Sequence, residues 1–338
     1  MHSSIQVVND TSIPASLKPL QALVESDLQS VNTLIMQMID QEVPLIEQIA
    51  RHIIHSGGKR MRPALVLASA KMCGHQAARH IHLAAAVEFL HTATLLHDDV
   101  VDESTLRRGG ETANAIWSNQ ASVLVGDFLL SRAFQLMVQD GSLPILSLLS
   151  DTSAIISQGE VMQMMAAGNL ETTEEDYLNI IRAKTAALFS AAAAIGPMMM
   201  ERSAEECAAM AAYGRSLGIA FQLVDDALDY SASETELGKT IGDDFRECKL
   251  TLPVILAFQR GNAPEREFWK RCLGEGQQNS DDLAQALTLI EGHHCLQATL
   301  DAAYQHAETA ISQLAIFPQS EAREALSQAA MFSVERRF

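Results

Sequence analysis

Residues Ala77–Asp102 read AARHIHLAAAVEFLHTATLLHDDVVD. Leu83, Val87, Leu90, Thr94 and Val101 recur in steps of four, three, four and seven, which is the spacing of one face of an α-helix. The stretch is therefore a long helix, and it ends in acid at Asp98, Asp99 and Asp102. The rest of the chain has the same character. Hydrophobic residues make up 48% and aromatics only 5%. Gly and Pro together are about 8% of the chain, below the roughly 12% of average usage. Ala, Leu, Met, Glu and Gln are strong helix formers, and no alternating strand pattern or hairpin dipeptide separates the apolar runs. The reading is all-α.

Outward from the acidic helix, helical patterns run from 17 to 55 with a break at Pro44, and Ser56-Gly57-Gly58 stops the second of them. Pro63 restarts a helix. Further helices are expected over 112–140, 143–168, 173–195 and 203–230, with Thr172-Thr173-Glu174-Glu175 as a capped start. Another begins near Pro253, and three shorter ones fill 264–338. No composition break divides the chain, so residues 16–338 are expected to form one domain after a loose leader at 1–15.

The acidic helix end has an echo. Leu95-Leu96-His97-Asp98-Asp99-Val100-Val101-Asp102 is matched by Gln222-Leu223-Val224-Asp225-Asp226-Ala227-Leu228-Asp229. Residues i and i+4 share a helix face, so Asp98 with Asp102, and Asp225 with Asp229, each present two carboxylates about one turn apart. Such pairs at a helix C-terminus oppose the dipole and repel one another. Magnesium removes the conflict: it accepts one or two carboxylates and completes its shell with water and substrate phosphates.

The net charge of −18 disfavours nucleic acid as a partner. It would repel a diphosphate too, unless metal ions reverse the local sign. Cations suited to the other end of such a substrate stand in Gly57-Gly58-Lys59-Arg60-Met61-Arg62-Pro63, in Arg107-Arg108, and at Lys184 and Lys239. Five scattered cysteines without a C-x-x-C pair suit a reducing compartment, so a cytoplasmic location is expected. No secretory signal is read. The longest uncharged run, Thr185–Met200, is too short to span a bilayer, so no transmembrane segment is expected.

In this order and spacing the motifs resemble the trans-type polyprenyl diphosphate synthases, from about residue 20 to 338. The resemblance rests on the two DDxxD motifs, GGKxxR at Gly57–Arg62, Arg107-Arg108-Gly109, and Gly238-Lys239 before Gly242-Asp243-Asp244. Phe89–His97 is similar to the long-chain branch. The resemblance implies a single large helical bundle around a central apolar cavity. It implies two or three Mg2+ ions held by Asp98, Asp102 and Asp225, with Asp99, Asp226 and Asp229 in support. Arg107, Lys184, Thr185, Gln222 and Lys239 would contact the allylic diphosphate, and Lys59, Arg62, His91 and Arg108 the isopentenyl diphosphate. Asp98, Asp102, Lys184 and Lys239 form the implied catalytic set. The reaction would be head-to-tail prenyl transfer, serving a quinone side chain, in a homodimer with transient membrane contact for product release.

Ala93 and Thr94 lie four or five places before the first motif, where bulky aromatics stop short products in this family. Both are small, which predicts a long product of about eight to ten isoprene units. Met162, Met164, Met165 and Met198–Met200 read first as helical core and second as an adaptable tunnel wall. His97 is expected to pack rather than to bind metal. Cys248 stands where the family has Gly, and Lys249 is left out of the site for that reason. Four alternatives are weaker. A His-Asp phosphohydrolase using His82 or His91 leaves the second acidic motif unexplained, and a terpene cyclase would not need Lys59, Arg62 and Arg108. A farnesyl or geranylgeranyl diphosphate synthase fits the small residues poorly, and a non-catalytic partner subunit does not account for two intact acidic motifs.

Overall fold

In the computed structural model, which describes residues 16–40, 43–56, 58–75, 77–107, 109–231 and 241–335, the chain opens with α1 (Lys18–Ile39) and α2 (Pro44–His55). Pro44 sits in the first turn of α2, where its missing N–H has no intrahelical partner to lose. The expected leader lies outside the described residues. Next come α3 (Met61–Met72) and α4 (Arg79–Val101), the long helix read from the sequence. Leu106–Arg107 then pairs antiparallel with Gly110–Glu111 in a short ribbon.

The helix expected over 112–140 is two: α5 (Ala113–Ile116) and α6 (Asn119–Asp140). Ser118 divides them, because its side chain accepts from the Ala121 amide and starts a fresh helix (3.1 Å). Then follow α7 (Leu143–Ala166) and α8 (Glu174–Ile181), the latter started by a Thr173–Asp176 capping box. The expected continuous helix to 195 is interrupted by a π-helical turn, Arg182–Ala186, before α9 (Ala187–Met199). After α10 (Ala204–Leu228) come α11 (Asp243–Arg246), α12 (Leu252–Arg260), α13 (Ala263–Trp269), α14 (Asp282–Gly292), α15 (Cys295–Gln313) and α16 (Glu321–Glu335). Among the described residues, four helices rather than three thus follow residue 262, because His294 turns left-handed (φ 52°) and divides α14 from α15.

The centre of the bundle is built from α3, α4, α9 and α10. α4 packs on α6, α9 on both α3 and α10, and α10 on α15. Close approach depends on small residues: Ala191–Ile195 of α9 are all buried, and a Cβ at Gly196 would lie 2.4 Å from the Ser69 carbonyl carbon. The apolar interior forms two clusters, and α10 runs through both, with Leu217 in one and Leu223 in the other.

Among the described residues, three helical stretches are long and apolar enough to cross a membrane by length and composition: Asn119–Asp140, Glu174–Met199 and Ala204–Leu228. The sequence reading missed them because it stopped at every lone charge. Most of the last two is inside the bundle, whereas only 39% of the Asn119–Asp140 window is buried. Met162, Met164 and Met165 are exposed on α7, so they are neither core nor tunnel wall. Of the second methionine group, Met199 is buried.

Candidate active site

Asp98 and Asp102 stand at the end of α4, on the wall of a cavity of about 590 Å³. Asp225 lines the same cavity from α10, and Lys184 and Thr185 enter it from the π-helical turn. That turn shifts the register between α8 and α9, a distortion often found at functional positions. Lys59, Arg62, His91, Thr94, Arg107 and Gln222 also line this one space, so residues of the two acidic motifs and of the Gly-Gly cation cluster meet in it. Ile53, Ile54, Met61, Leu95, Ile156, Phe189 and Phe221 supply its apolar lining.

Each face of the cavity is pre-organised. Arg62 Nη1 donates to His91 Nε2 (3.0 Å), and its guanidinium lies over the Phe189 ring (4.5 Å). Lys59 Nζ lies over the Phe332 ring of α16 (5.0 Å). Lys184 pairs with Glu160 of α7 (2.7 Å), and Thr185 Oγ1 donates to Gln222 Oε1 (2.8 Å).

The middle aspartate of each motif is buried and holds a neighbour. Asp99 accepts two bonds from Arg107 (2.6 and 2.8 Å), while its carbonyl accepts from Asn114 (3.2 Å). Asp226 accepts from Tyr177 Oη (2.6 Å) and Gln222 Nε2 (2.7 Å). Asp99 therefore sets the aim of Arg107, and Asp226 that of Gln222. Asp229 accepts from the Asp244 amide (3.1 Å) and joins the second motif to α11.

Burial pushes the Asp98 carboxyl up to about 7; Lys184 opposes the rise, while Glu160 and Asp102 add to it. Burial likewise takes Asp226 up to about 8, with Asp244 adding and its two hydrogen bonds opposing. Around Asp98 the carboxylates of Asp102 and Glu160 crowd together, which is a setting a divalent cation fits. Among the described residues no group of three His, Cys, Asp or Glu side chains is placed to hold a metal alone. The donor set therefore suits a hard ion that takes one or two carboxylates and finishes its shell with phosphate oxygens.

Lys239 and Arg108 lie outside the described residues. Ala93 is buried at 2% exposure and is absent from the cavity wall, so of the two small residues only Thr94 faces the substrate space. His97 bonds to the Val123 carbonyl (3.2 Å) and packs over Gly126 of α6, where a Cβ would come within 2.3 Å of its ring.

The sequence reading missed two site residues. Glu160 had a signal: it is the lone charge between Asp151 and Glu171. Lys249 was set aside because of Cys248, yet Cys248 adopts the left-handed conformation (φ 53°) that glycine favours, so the chain keeps its course. Lys249 bonds to Asp102 (3.1 Å) and pairs with Glu247. Burial works against its ammonium, but Asp102, Asp244 and Glu247 outweigh burial and raise its pKa. A second cavity of about 160 Å³ adjoins the first, with Lys184, Thr185 and Gln222 lining both and Lys249, Tyr177 and Asp244 on its far side.

The profile of the polyprenyl synthetase family matches residues 43–290. The chain is 42% identical over 323 residues to the octaprenyl diphosphate synthase of Haemophilus influenzae, covering 96% of this chain and 98% of that protein. Among solved structures it is similar to a polyprenyl synthase from Caulobacter crescentus complexed with calcium and isoprenyl diphosphate. That match has a TM-score of 0.94 and 47% identity, over 96% of this chain and 99% of the other. A decaprenyl diphosphate synthase from Rhodobacter capsulatus matches with a TM-score of 0.91 and 48% identity, over 95% and 99%.

Proposed function

The chain belongs to the polyprenyl synthetase family, and from that premise we propose that it adds isopentenyl diphosphate head to tail to an allylic diphosphate, making a long all-trans polyprenyl diphosphate. The observation that carries this reading is one cavity with two anion-binding faces. Lys59, Arg62 and His91 make one face; Arg107, Lys184, Thr185 and Gln222, beside the aspartates, make the other. A cyclase or a phosphohydrolase has no use for the second. The similar proteins make products of eight and ten units, and a product of about that length, for a quinone side chain, is the one proposed here.

The donor set suits two or three Mg2+ ions among Asp98, Asp102, Asp225 and the diphosphate, and bound metal would neutralise charge on the departing diphosphate. Arg107, Lys184 and Gln222 hold the allylic diphosphate in place. Lys59, Arg62 and His91 present the isopentenyl double bond to the allylic carbon. The apolar lining excludes water that would trap the carbocation, and no protein nucleophile is needed. Residues 16–338 act as one domain in the cytoplasm. The apolar outer faces of α6 and α7 are where a second copy would pack, and transient membrane contact would release the product.

The test is incubation of the purified protein with isopentenyl diphosphate, farnesyl or geranylgeranyl diphosphate and Mg2+, followed by sizing of the dephosphorylated products. Elongation to about eight to ten units is expected, lost on chelation and in Asp98→Ala. Absence of metal-dependent elongation would overturn the reading. Thr94→Phe should shorten the product while condensation continues; an unchanged length would show that the tail does not pass Thr94.

A further inference from the structure

The three cations after the glycine pair do different work. Lys59 and Arg62 line the cavity, each supported by an aromatic ring. Arg60, between them, lines the same cavity together with Glu88, but its guanidinium is engaged: it pairs with Glu88 of α4 and donates to the Ile54 carbonyl at the end of α2 (2.9 Å). The side chains of Arg60 and Glu88 are only 18% and 8% exposed. The Arg60 backbone is left-handed (φ 48°, ψ 37°), a conformation that residues other than glycine rarely adopt. No side-chain cap at the start of α3 accounts for it. The guanidinium ties this turn to two other helices at once. Glu88 lies three residues before His91, so it shares a helix face with the third member of this anion-binding group.

We propose that Arg60 and Glu88 are positioning residues for isopentenyl diphosphate: their ion pair fixes Lys59 and Arg62 relative to His91, and Arg60 does not itself touch the diphosphate. The inference rests on the reading of Lys59, Arg62 and His91 as the isopentenyl diphosphate site.

The test compares wild type with Arg60→Met, Arg60→Gly, Glu88→Gln and the Arg60→Met/Glu88→Gln double variant, varying the two substrates separately. A displaced binding group raises the KM for isopentenyl diphosphate about ten- to a hundredfold in the Arg60 variants. The KM for the allylic diphosphate and kcat stay within about threefold. Arg60→Gly removes the backbone strain, so a loss there assigns the effect to the guanidinium. Glu88→Gln shifts KM in the same direction, and the double variant is no worse than Arg60→Met, because the two residues act as one unit. An unchanged KM in Arg60→Gly overturns the proposal. So does a lower KM in Glu88→Gln, which would mean that the released guanidinium binds diphosphate directly. A second readout needs no turnover: exchange of the Ala64 amide, which donates to the Arg60 carbonyl (3.0 Å), should quicken at least about tenfold in Arg60→Met, beyond what any change in global stability accounts for. Unaltered exchange there overturns the tie between the helices, whatever reaction the protein performs.

Discussion

Lys249 shows how one side chain can join two distant motifs. It reaches Asp102 on α4 from just beyond α11, and Asp244 and Glu247 surround it. Replacing it with Met keeps the length and removes the charge, leaving these carboxylates to repel one another. We expect Lys249→Met to lower kcat about a hundredfold with little loss of helical content, measured by steady-state kinetics and circular dichroism. A variant of wild-type activity would make Lys249 a bystander. Asp282, far from the cavity, is the opposite case. Its carboxylate takes two bonds from Arg271 (2.7 and 2.8 Å) and one from the Asn279 amide (2.6 Å), which hold its pKa well below the usual range although burial opposes them. A carboxylate depressed in the folded state contributes stability above its unfolded value of about 4 and loses it as the pH falls further. Asp282→Asn should therefore cost about 1–3 kcal/mol at pH 7, and less against wild type at pH 3, as read from urea midpoints. An equal cost at both pH values would remove the ionic explanation.

The π-helical turn at Arg182–Ala186 marks what the sequence could and could not convey about elements. Helix boundaries were legible wherever local chemistry sets them, as at Pro44, at the Thr173 cap and along the apolar stripe of α4. The turn was not, because the backbone it packs against is distant in sequence. Gly159 of α7 presses so closely that an added Cβ would sit 2.6 Å from the Lys184 amide nitrogen and 2.9 Å from the Ala183 Cβ. A glycine inside an apolar helix does not say which backbone it meets. For the same reason the aspartates and the Gly-Gly cations were readable as a site, whereas the pairing of Glu160 with Lys184 and of Lys249 with Asp102 is a product of the fold. Gly159→Ala should move the turn and misplace Lys184. A drop of about ten- to a hundredfold in kcat/KM for the allylic diphosphate is expected, with a stability cost of about 1–3 kcal/mol. Full activity would mean that α7 yields and the close approach does not position the lysine.

For the whole molecule, the apolar surface is distributed unevenly. Buried carboxylates crowd the cavity, yet on the outside α6 exposes Val123, Leu124, Phe134 and Val138 within one arc of about 100°, and α7 adds Leu143, Val161 and Met165. Asp127 lies inside that arc and Asp140 is bound to Arg79, so few charges interrupt the apolar strip. Soluble monomers seldom leave such a continuous strip in water. A second copy, carrying the same strip, would cover it most simply through a two-fold contact in which each face meets its own image. The strip also lies on the outer side of the helices that bear Glu160 and support His97, so dimer formation would stiffen the walls that position Lys184 and Asp98. Wild type should sediment at twice the chain mass of 36.7 kDa. Leu124→Glu/Val138→Glu would place four carboxylates in a single apolar contact, where unpaired buried charge is strongly unfavourable. That variant should sediment at the mass of one chain while keeping its helical spectrum. If it remained a dimer, the two-fold contact would lie elsewhere, and the α6–α7 strip would need a different partner.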